Sequence, residues 1–266
     1  MSEYVTLDNG ESIYVEEYGD VSGETIIALH GLGGGGYFFS GLSKSLTSSS
    51  RVICPDMPGS GLSKRGERSI SFDGVADAVV QPIQRKTVGQ ITLIGHSMGT
   101  ITALKVYSRI PNRIRSMIFV GGLPTALSEA QARVRDRAAL ARSASMTAVA
   151  PTIVPVVFAR RSFQVIPDKI SMFQRLLALS DAEGYAQTAL ALADASAADV
   201  VHQVRVPCLC VTGTEDRYAP PAAVREFADS VADACYHELK DCAHMPFFEA
   251  PDLFGQAVQE FLCPTK

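Results

Sequence analysis

The sequence lacks the features that mark nucleic-acid-binding, membrane and secreted proteins. Its 24 Lys and Arg residues are outnumbered by 28 Asp and Glu residues, so there is no excess of positive charge for binding nucleic acid. No apolar stretch approaches the roughly 20 residues that span a bilayer, so we expect no contact with membranes. The first residues include no basic segment followed by an apolar one, so we also expect no secretory signal.

The six cysteines are scattered and form no C-x-x-C pair. Cys208 and Cys210 lie at strand spacing, on one face of a predicted buried strand. This pattern favours free buried thiols over disulfide bonds or a metal site. Free thiols are typical of a reducing compartment, so we predict a cytoplasmic protein that binds no metal.

Short β-branched runs alternate with helical patterns along most of the chain. Two runs, 4–7 and 12–18, flank an Asn9-Gly10 turn and predict an antiparallel hairpin. Runs without alternation are typical of strands buried on both faces of a parallel sheet; they cover residues 25–29, 51–56, 91–96, 115–122 and 207–213, and a last strand is predicted at 235–241. Helical patterns cover residues 38–46, 72–84, 98–109, 222–231 and 251–262. The alternation predicts an α/β fold in which a mostly parallel central sheet is flanked by helices.

Residues 124–199 interrupt this alternation. They contain Ala-, Leu- and Arg-rich helical patterns, with Pro151, Pro155 and Pro167 as helix breakers, and no strand run of the kind found elsewhere. We therefore predict a helical insertion at 124–199, which divides the core domain into residues 1–123 and 200–266. Since no low-complexity linker flanks the insertion, we expect it to fold over the sheet.

The stretch LIGHSMGT contains the most specific chemical signal. Gly95 to Gly99 satisfy G-x-S-x-G between a predicted buried strand and a predicted helix, which is the context that a nucleophile elbow requires. The alternative is a serine that merely caps a helix between two glycines. Because strand, turn and helix coincide, we interpret Ser97 as a nucleophile.

A serine nucleophile needs a histidine base and an acid that orients the base. In this kind of fold the chain order is Ser, acid, His. Of the five histidines, His244 alone lies in a loop between the last predicted strand and the last predicted helix. The loop after the strand at 207–213 offers Glu215 and Asp216 as acids, and we favour Asp216 because it lies where a strand end would direct a carboxylate towards His244.

The glycine-rich segment 31–36 satisfies G-x-G-x-x-G, a string that also occurs in dinucleotide-binding folds. Two predicted strands precede it, however, and a histidine opens it. Acyl transfer needs N–H donors for the oxyanion; one is Met98, directly after the nucleophile, and only the loop at 30–33 is a candidate for the second. We interpret the loop as oxyanion-binding, which leaves Gly34 to Gly36 without a role beyond loop flexibility or room for substrate.

Five motifs, in order, resemble those of the α/β-hydrolase-fold serine hydrolases: HGLGG, DMPGSGLS, GHSMG, GTEDRYAPP and AHMPFFEAP. The resemblance runs from about Ser12 to Leu262. It implies that Ser97 is the nucleophile, Asp216 the orienting acid and His244 the general base. It also implies that the amides of Leu32 and Met98 form the oxyanion hole, that the insertion is a cap, and that no cofactor is needed.

Within this family, residues 184–216 are similar to the cap exit of 3-oxoadipate enol-lactonases. The absence of tryptophan and the serine nucleophile count against haloalkane dehalogenases, and the serine also counts against epoxide hydrolases. We predict a hydrolase of carboxylic esters or lactones acting on a small molecule. A carbon–carbon bond hydrolase of ring-cleavage products and a ligand-sensing receptor on the same scaffold remain alternatives, and the sequence leaves open whether the protein is a monomer or a homodimer.

The substrate pocket is expected to be apolar. Six residues are predicted to line it: Gly31, Gly33, Phe38, Val154, Phe158 and Phe247. The insertion also carries Arg133, Arg135, Arg137 and Arg142. Arginines at this spacing favour a solvated helix face over contact with a substrate carboxylate.

Overall fold

Eight strands form one sheet in the part of the chain that the computed structural model describes, residues 2–42, 44–67 and 69–263. The strands are β1 (Ser2–Thr6), β2 (Ser12–Gly19), β3 (Glu24–Leu29), β4 (Ser50–Pro55), β5 (Ile91–His96), β6 (Ile114–Val120), β7 (Cys208–Gly213) and β8 (Ala234–Leu239). Their order in the sheet is β1-β2-β4-β3-β5-β6-β7-β8. The β1–β2 and β2–β4 pairs are antiparallel and all later pairs are parallel, so the predicted fold class is confirmed.

The helices are α1 (Lys44–Thr47), α2 (Phe72–Lys86), α3 (Met98–Arg109), α4 (Ser128–Ala144), α5 (Met146–Val157), α6 (Ser162–Val165), α7 (Pro167–Ala178), α8 (Ala182–Asp194), α9 (Ala198–Val201), α10 (Pro221–Asp229), α11 (Pro246–Glu249) and α12 (Pro251–Leu262). None of these described helices is long and apolar enough to cross a bilayer. The prediction of one helix at 38–46 is wrong, because Gly36–Phe39 form a 3-10 turn and Gly41, unfavourable inside a helix, separates that turn from α1. Ser43, within that prediction, lies outside the described residues, as do Met1, Arg68 and residues 264–266 of the predicted core domain.

The segment between β6 and β7 is helical and holds α4 to α9. Its two ends meet: Thr125 and Ser196 form an isolated antiparallel bridge, and the Ala197 amide donates to the carbonyl oxygen of Pro124 at 2.8 Å. The predicted boundary at 199/200 therefore falls inside α9, just beyond this junction.

The parallel strands bring the loops that follow them to one edge of the sheet. β5 and β7 are buried along their whole length, as expected for strands that are covered on both faces. Their carboxyl ends lead to Ser97 and Asp216, and β8 leads towards His244. Residues far apart in the chain thus lie close together at the edge where α/β sheets commonly bind ligands.

A largely buried ion pair joins β2 to β4. Arg51 Nε and Nη2 donate to the two carboxylate oxygens of Glu17 at 2.8 and 3.0 Å, and Arg51 Nη1 donates to the carbonyl oxygen of Lys86 at the end of α2. The Glu17 side chain is 8% exposed, and the hydrogen bonds from Arg51 are the main cause that lowers its pKa. An unpaired carboxylate here would be costly.

We expect Arg51→Met to lower the free energy of unfolding by about 2–3 kcal/mol, because it removes the two hydrogen bonds that Arg51 donates to the buried Glu17 carboxylate. Urea denaturation measures this loss. Arg85→Met is the control: it removes an ion pair with Asp8 whose side chains are 42% and 79% exposed, and should cost less than about 1 kcal/mol. Equal losses in the two variants would show that the buried Arg51–Glu17 pair contributes no more to stability than the exposed Arg85–Asp8 pair.

His30 connects the end of β3 to the end of β4. Its Nε2 accepts a hydrogen bond from the Met57 amide at 3.0 Å, and its Nδ1 donates to the carbonyl oxygen of Gly31 at 2.8 Å. One acceptor and one donor on the ring correspond to neutral imidazole. Burial lowers the pKa of His30 from about 6.5 to about 4.

This lowered pKa predicts a pH dependence of stability. Because the folded pKa lies below the unfolded one, the contribution of neutral His30 is complete above pH 6.5 and is lost as the pH falls to about 4. The loss amounts to roughly 3 kcal/mol. The difference in unfolding free energy between the wild type and His30→Asn should therefore shrink from pH 7 to pH 4 in urea titrations. His202→Asn, at an exposed histidine, is the control, and its difference from the wild type in unfolding free energy should not change with pH. If the difference for His30→Asn also stays constant from pH 7 to pH 4, His30 does not cause the loss of stability.

Candidate active site

Ser97 lies alone between β5 and α3 in a strained backbone conformation, with φ 53° and ψ −117°. A positive φ is unfavourable for a residue with a side chain. The Ser97 amide donates to the carbonyl oxygen of Val120 at 2.9 Å, which ties the turn to β6. At Gly99 an added Cβ would lie 2.2 Å from the carbonyl oxygen of Leu29. The glycine of the motif is therefore required by the close approach of α3 to β3.

Asp216 and His244 form a buried pair, and His244 lines the same cavity as Ser97. His244 Nδ1 donates to Asp216 Oδ2 at 2.9 Å and lies 3.1 Å from Oδ1. Asp216 Oδ1 also accepts from the amides of Tyr218 and Ala219, at 2.8 and 3.0 Å. Both side chains of the pair are nearly inaccessible to solvent. With Nδ1 engaged as donor, Nε2 is the nitrogen of His244 left to accept a proton.

Glu215, the other acid considered from the sequence, is exposed and turned towards the insertion. Its Oε2 accepts a hydrogen bond from the Arg160 amide at 3.1 Å. Asp216 is therefore the acid that the structure brings to His244.

His96, to which the sequence assigned no role, supports the loop that carries His244 (residues 240–245, between β8 and α11), which we call the histidine loop. Its Nε2 donates to the carbonyl oxygen of His244 at 2.9 Å, and the two rings are 4.9 Å apart. Burial holds the pKa of His96 well below its usual range. A neutral His96 thus fixes the backbone at His244. Its position directly before Ser97 was the only sequence signal for this contact.

A second support comes from Glu249, which links the insertion to the histidine loop. Its carboxylate accepts hydrogen bonds from the Ala159 amide at 2.7 Å, the Ser162 hydroxyl at 2.5 Å and the Ala243 amide at 2.7 Å. Burial raises the pKa of Glu249. In addition, the His244 amide donates to the carbonyl oxygen of Val157 at 3.1 Å.

The glycine-rich loop packs against its surroundings more closely than side chains would allow. The Gly36 amide donates to Asp56 Oδ1, while the Leu62 amide donates to Oδ2 at 2.7 Å. Burial raises the pKa of Asp56 to about 6. A Cβ at Gly36 would lie 2.9 Å from Glu16 Oε2, and one at Gly35 would lie 2.9 Å from Asp56 Oδ1. Gly35 and Gly36 therefore let the loop close over Asp56, and at Gly34 a Cβ would lie 2.7 Å from the Phe38 ring, so the three glycines are explained by close packing.

One cavity reaches Ser97 and His244 and has an empty volume of about 780 Å³, including its open mouth. Leu32 and Met98, the predicted oxyanion donors, lie on its wall. Residues of the insertion form much of the opposite wall, and they are Ala126, Ala130, Val134, Arg137, Ile153, Val157, Phe173, Tyr185 and Leu192. The cavity thus lies between the sheet edge and the insertion and is mainly apolar.

Two of the six predicted pocket residues, Gly31 and Phe38, line this cavity. The other four do not line the cavity, because each is packed against other residues of the protein. Gly33 faces the side chains of Leu177 and Tyr185, and Val154 is buried within α5. Phe158 packs on Phe173 with ring centres 5.1 Å apart, and Phe247 packs on Phe39 at 5.1 Å and on His96 at 4.9 Å.

A sequence profile described as the alpha/beta hydrolase fold matches residues 24–251. Among curated proteins, 3-oxoadipate enol-lactonase 2 of Acinetobacter baylyi is 27% identical over 208 residues, which cover 78% of this chain and 77% of that protein. A pimeloyl-[acyl-carrier protein] methyl ester esterase of Chromobacterium violaceum is 26% identical over 262 residues, covering 94% and 98% of the two chains.

Among solved structures, the enol-lactonase from Burkholderia xenovorans superposes with a TM-score of 0.90 at 25% identity, over 98% of this chain and 99% of that one. The family profile covers well over half of the chain and includes β3 to β8 together with Ser97, Asp216 and His244. The chain therefore belongs to the alpha/beta hydrolase fold family.

Proposed function

We propose that this protein is a hydrolase that cleaves a carboxylic ester or a lactone through a serine acyl-enzyme. The observation that carries the proposal is the convergence of a strained Ser97 and a buried Asp216–His244 pair on one cavity. The similarity to an enol-lactonase and to a methyl ester esterase supports both bond types. Serine chemistry of this kind requires no cofactor.

In the first half-reaction, His244 Nε2 takes the proton of the Ser97 hydroxyl as Oγ attacks the substrate carbonyl carbon. The carbonyl oxygen becomes an oxyanion, which accepts hydrogen bonds from the Leu32 and Met98 amides. The Met98 amide is at the first position of α3, where the helix dipole also favours negative charge. His244 then gives the proton to the leaving alkoxide as the carbon–oxygen bond breaks.

In the second half-reaction, a water molecule replaces the alcohol. His244 Nε2 takes a proton from the water, whose oxygen attacks the acyl carbon, and returns a proton to Ser97 Oγ as the acid leaves. For a lactone the leaving alkoxide stays part of the acyl group, so the product is a single hydroxy acid or its keto tautomer. Asp216 stabilises the imidazolium in both halves without being protonated.

The insertion acts in this proposal as the cap that selects the substrate. Its helices supply much of the cavity wall, whereas the reacting groups belong to the loops of the sheet. The bonds of Glu249 and Val157 to the histidine loop hold the cap in position over the reacting carbonyl.

We expect Ser97→Ala to abolish hydrolysis of 4-nitrophenyl acetate, because the loss of a triad nucleophile costs on the order of a millionfold in kcat. Release of nitrophenolate measures the rate, and circular dichroism checks that the fold is intact. The exposed Ser40→Ala is the matched control and should retain full activity. Unchanged turnover in a folded Ser97→Ala protein would refute the proposed function.

A panel of methyl esters, lactones and ring-cleavage diketones, each run with Ser97→Ala, then defines the bond that is cleaved.

Asp216→Asn should reduce kcat by roughly four orders of magnitude, because an amide cannot hold His244 in the required tautomer. Glu215→Gln, one residue earlier, should stay within about threefold of wild type, since Glu215 is exposed and the amide oxygen of Gln can still accept the hydrogen bond from the Arg160 amide. Steady-state kinetics on the same ester compares the two variants. A larger effect at Glu215 than at Asp216 would show that the acid has been assigned to the wrong residue.

A further inference from the structure

Arg137 differs from the other three arginines of α4 in its electrostatic partners. Those three form ion pairs with acidic residues: Arg133 with Glu129 at 3.6 Å, Arg135 with Asp194 at 2.7 Å and Arg142 with Glu183 at 2.8 Å. Within the described parts of the chain, Arg137 forms no salt bridge with any carboxylate. Arg133 also lies over the Tyr218 ring, at 5.6 Å, and its Nε is buried without a partner among the described residues, but it is paired with Glu129 and does not line the cavity. Arg137 is therefore the arginine of the four that faces the cavity without a carboxylate partner among the described residues.

Arg137 lies on the wall of the cavity that contains Ser97. Its Nη1 donates to the Tyr218 hydroxyl at 2.5 Å, and its guanidinium lies 5.3 Å from the centre of the Tyr218 ring. Its Nε is buried and has no hydrogen-bond partner among the described residues. No Asp or Glu is among the described residues that line the cavity. The buried Nε–H of this partly exposed arginine is therefore a donor that an anionic ligand in the cavity could satisfy.

Tyr185 adds a second unused donor to the same cavity wall. The residue is 2% exposed, and its hydroxyl is buried without a hydrogen-bond partner among the described residues. Burial raises the pKa of Tyr185 to about 12, and the charge of Arg137 acts against this shift. The hydroxyl therefore keeps its proton at neutral pH and can donate it to a ligand.

Both donors lie on the wall of the cavity that holds the reacting groups, and they are close enough for the charge of Arg137 to act on the Tyr185 hydroxyl. The Tyr185 ring borders Gly33, since a Cβ there would lie 3.1 Å from it, and Gly33 follows the proposed oxyanion donor Leu32. Arg137 is connected to His244 through Tyr218, whose ring is 5.0 Å from the histidine ring. An anion bound by Arg137 would thus be close to the carbonyl that Ser97 attacks.

We infer that Arg137 and Tyr185 form a subsite for a carboxylate of the substrate, so that the substrate is a small ester or lactone carrying a free carboxylate. This inference rests on the proposed function. A planar carboxylate matches the guanidinium fork and accepts from the Tyr185 hydroxyl as well. The group is not cleaved; it orients the acyl chain in a cavity that otherwise offers apolar contacts.

The test compares methyl hydrogen glutarate with methyl pentanoate, which carries a methyl group in place of the free carboxylate. We expect the wild type to prefer the charged ester in kcat/KM. Arg137→Met should lower that preference by about 30-fold or more, mainly through KM, because a charge-assisted hydrogen bond is lost. Tyr185→Phe should lower the preference by about fivefold. Arg135→Met, on the same helix but exposed and paired with Asp194, is the matched control and should leave the preference unchanged.

A separate binding measurement makes failure of the subsite distinguishable from failure of the proposed function. Calorimetry with glutarate on the wild type and on Arg137→Met needs no turnover. If neither ester is hydrolysed above the Ser97→Ala background, the proposed function fails, and weaker binding of glutarate to Arg137→Met still supports the subsite. Equal binding by both proteins overturns the subsite, as does an equal loss of kcat/KM for both esters, which would indicate that Arg137 acts only by supporting Tyr218.

Discussion

The arrangement of the candidate active site depends on how closely the first turn of α3 approaches the end of β3. There is no space for a side chain at Gly99, where the carbonyl oxygen of Leu29 occupies the position of a Cβ. The helix can approach this closely only if the chain reverses within one residue, and Ser97 adopts the strained conformation that makes this possible. The same closeness places the start of α3 next to the glycine-rich loop after β3, so that Ser97, the proposed nucleophile, and the proposed oxyanion donors share one small region.

Much of this core could be predicted from sequence because its signals are local. Strands such as β5 are buried on both faces and therefore read as continuous apolar runs. The turn at Ser97 needs glycines at fixed spacing, and parallel strands deliver their following loops to one edge. Chain order and loop position were then sufficient to select Asp216 and His244, which the structure brings into hydrogen-bond contact.

The cavity wall could not be predicted in the same way because it depends on contacts between distant segments. Helix α5 is apolar around much of its surface, so its pattern does not show that Ile153 faces the cavity while Val154 does not. The arginines of α4 are alike in sequence, and the pairing of Arg135 with Asp194 and of Arg142 with Glu183 depends on how α8 packs against α4, which the sequence of α4 does not show. Gly35 and Gly36 likewise acquire a reason only from Asp56, which is near in space but follows a further strand.

The junction at Thr125 and Ser196 makes the helical segment a unit whose entry and exit are bonded to each other. Such a unit can be exchanged or remodelled during evolution without altering the strands that it interrupts. The exchange is restricted at one place, because residues 157–162 are hydrogen-bonded to the histidine loop directly and through Glu249. Under the proposed function, a new substrate range is therefore accessible through replacement of α4, α7 and α8, whereas the end of α5 must be inherited together with His244, the proposed catalytic base.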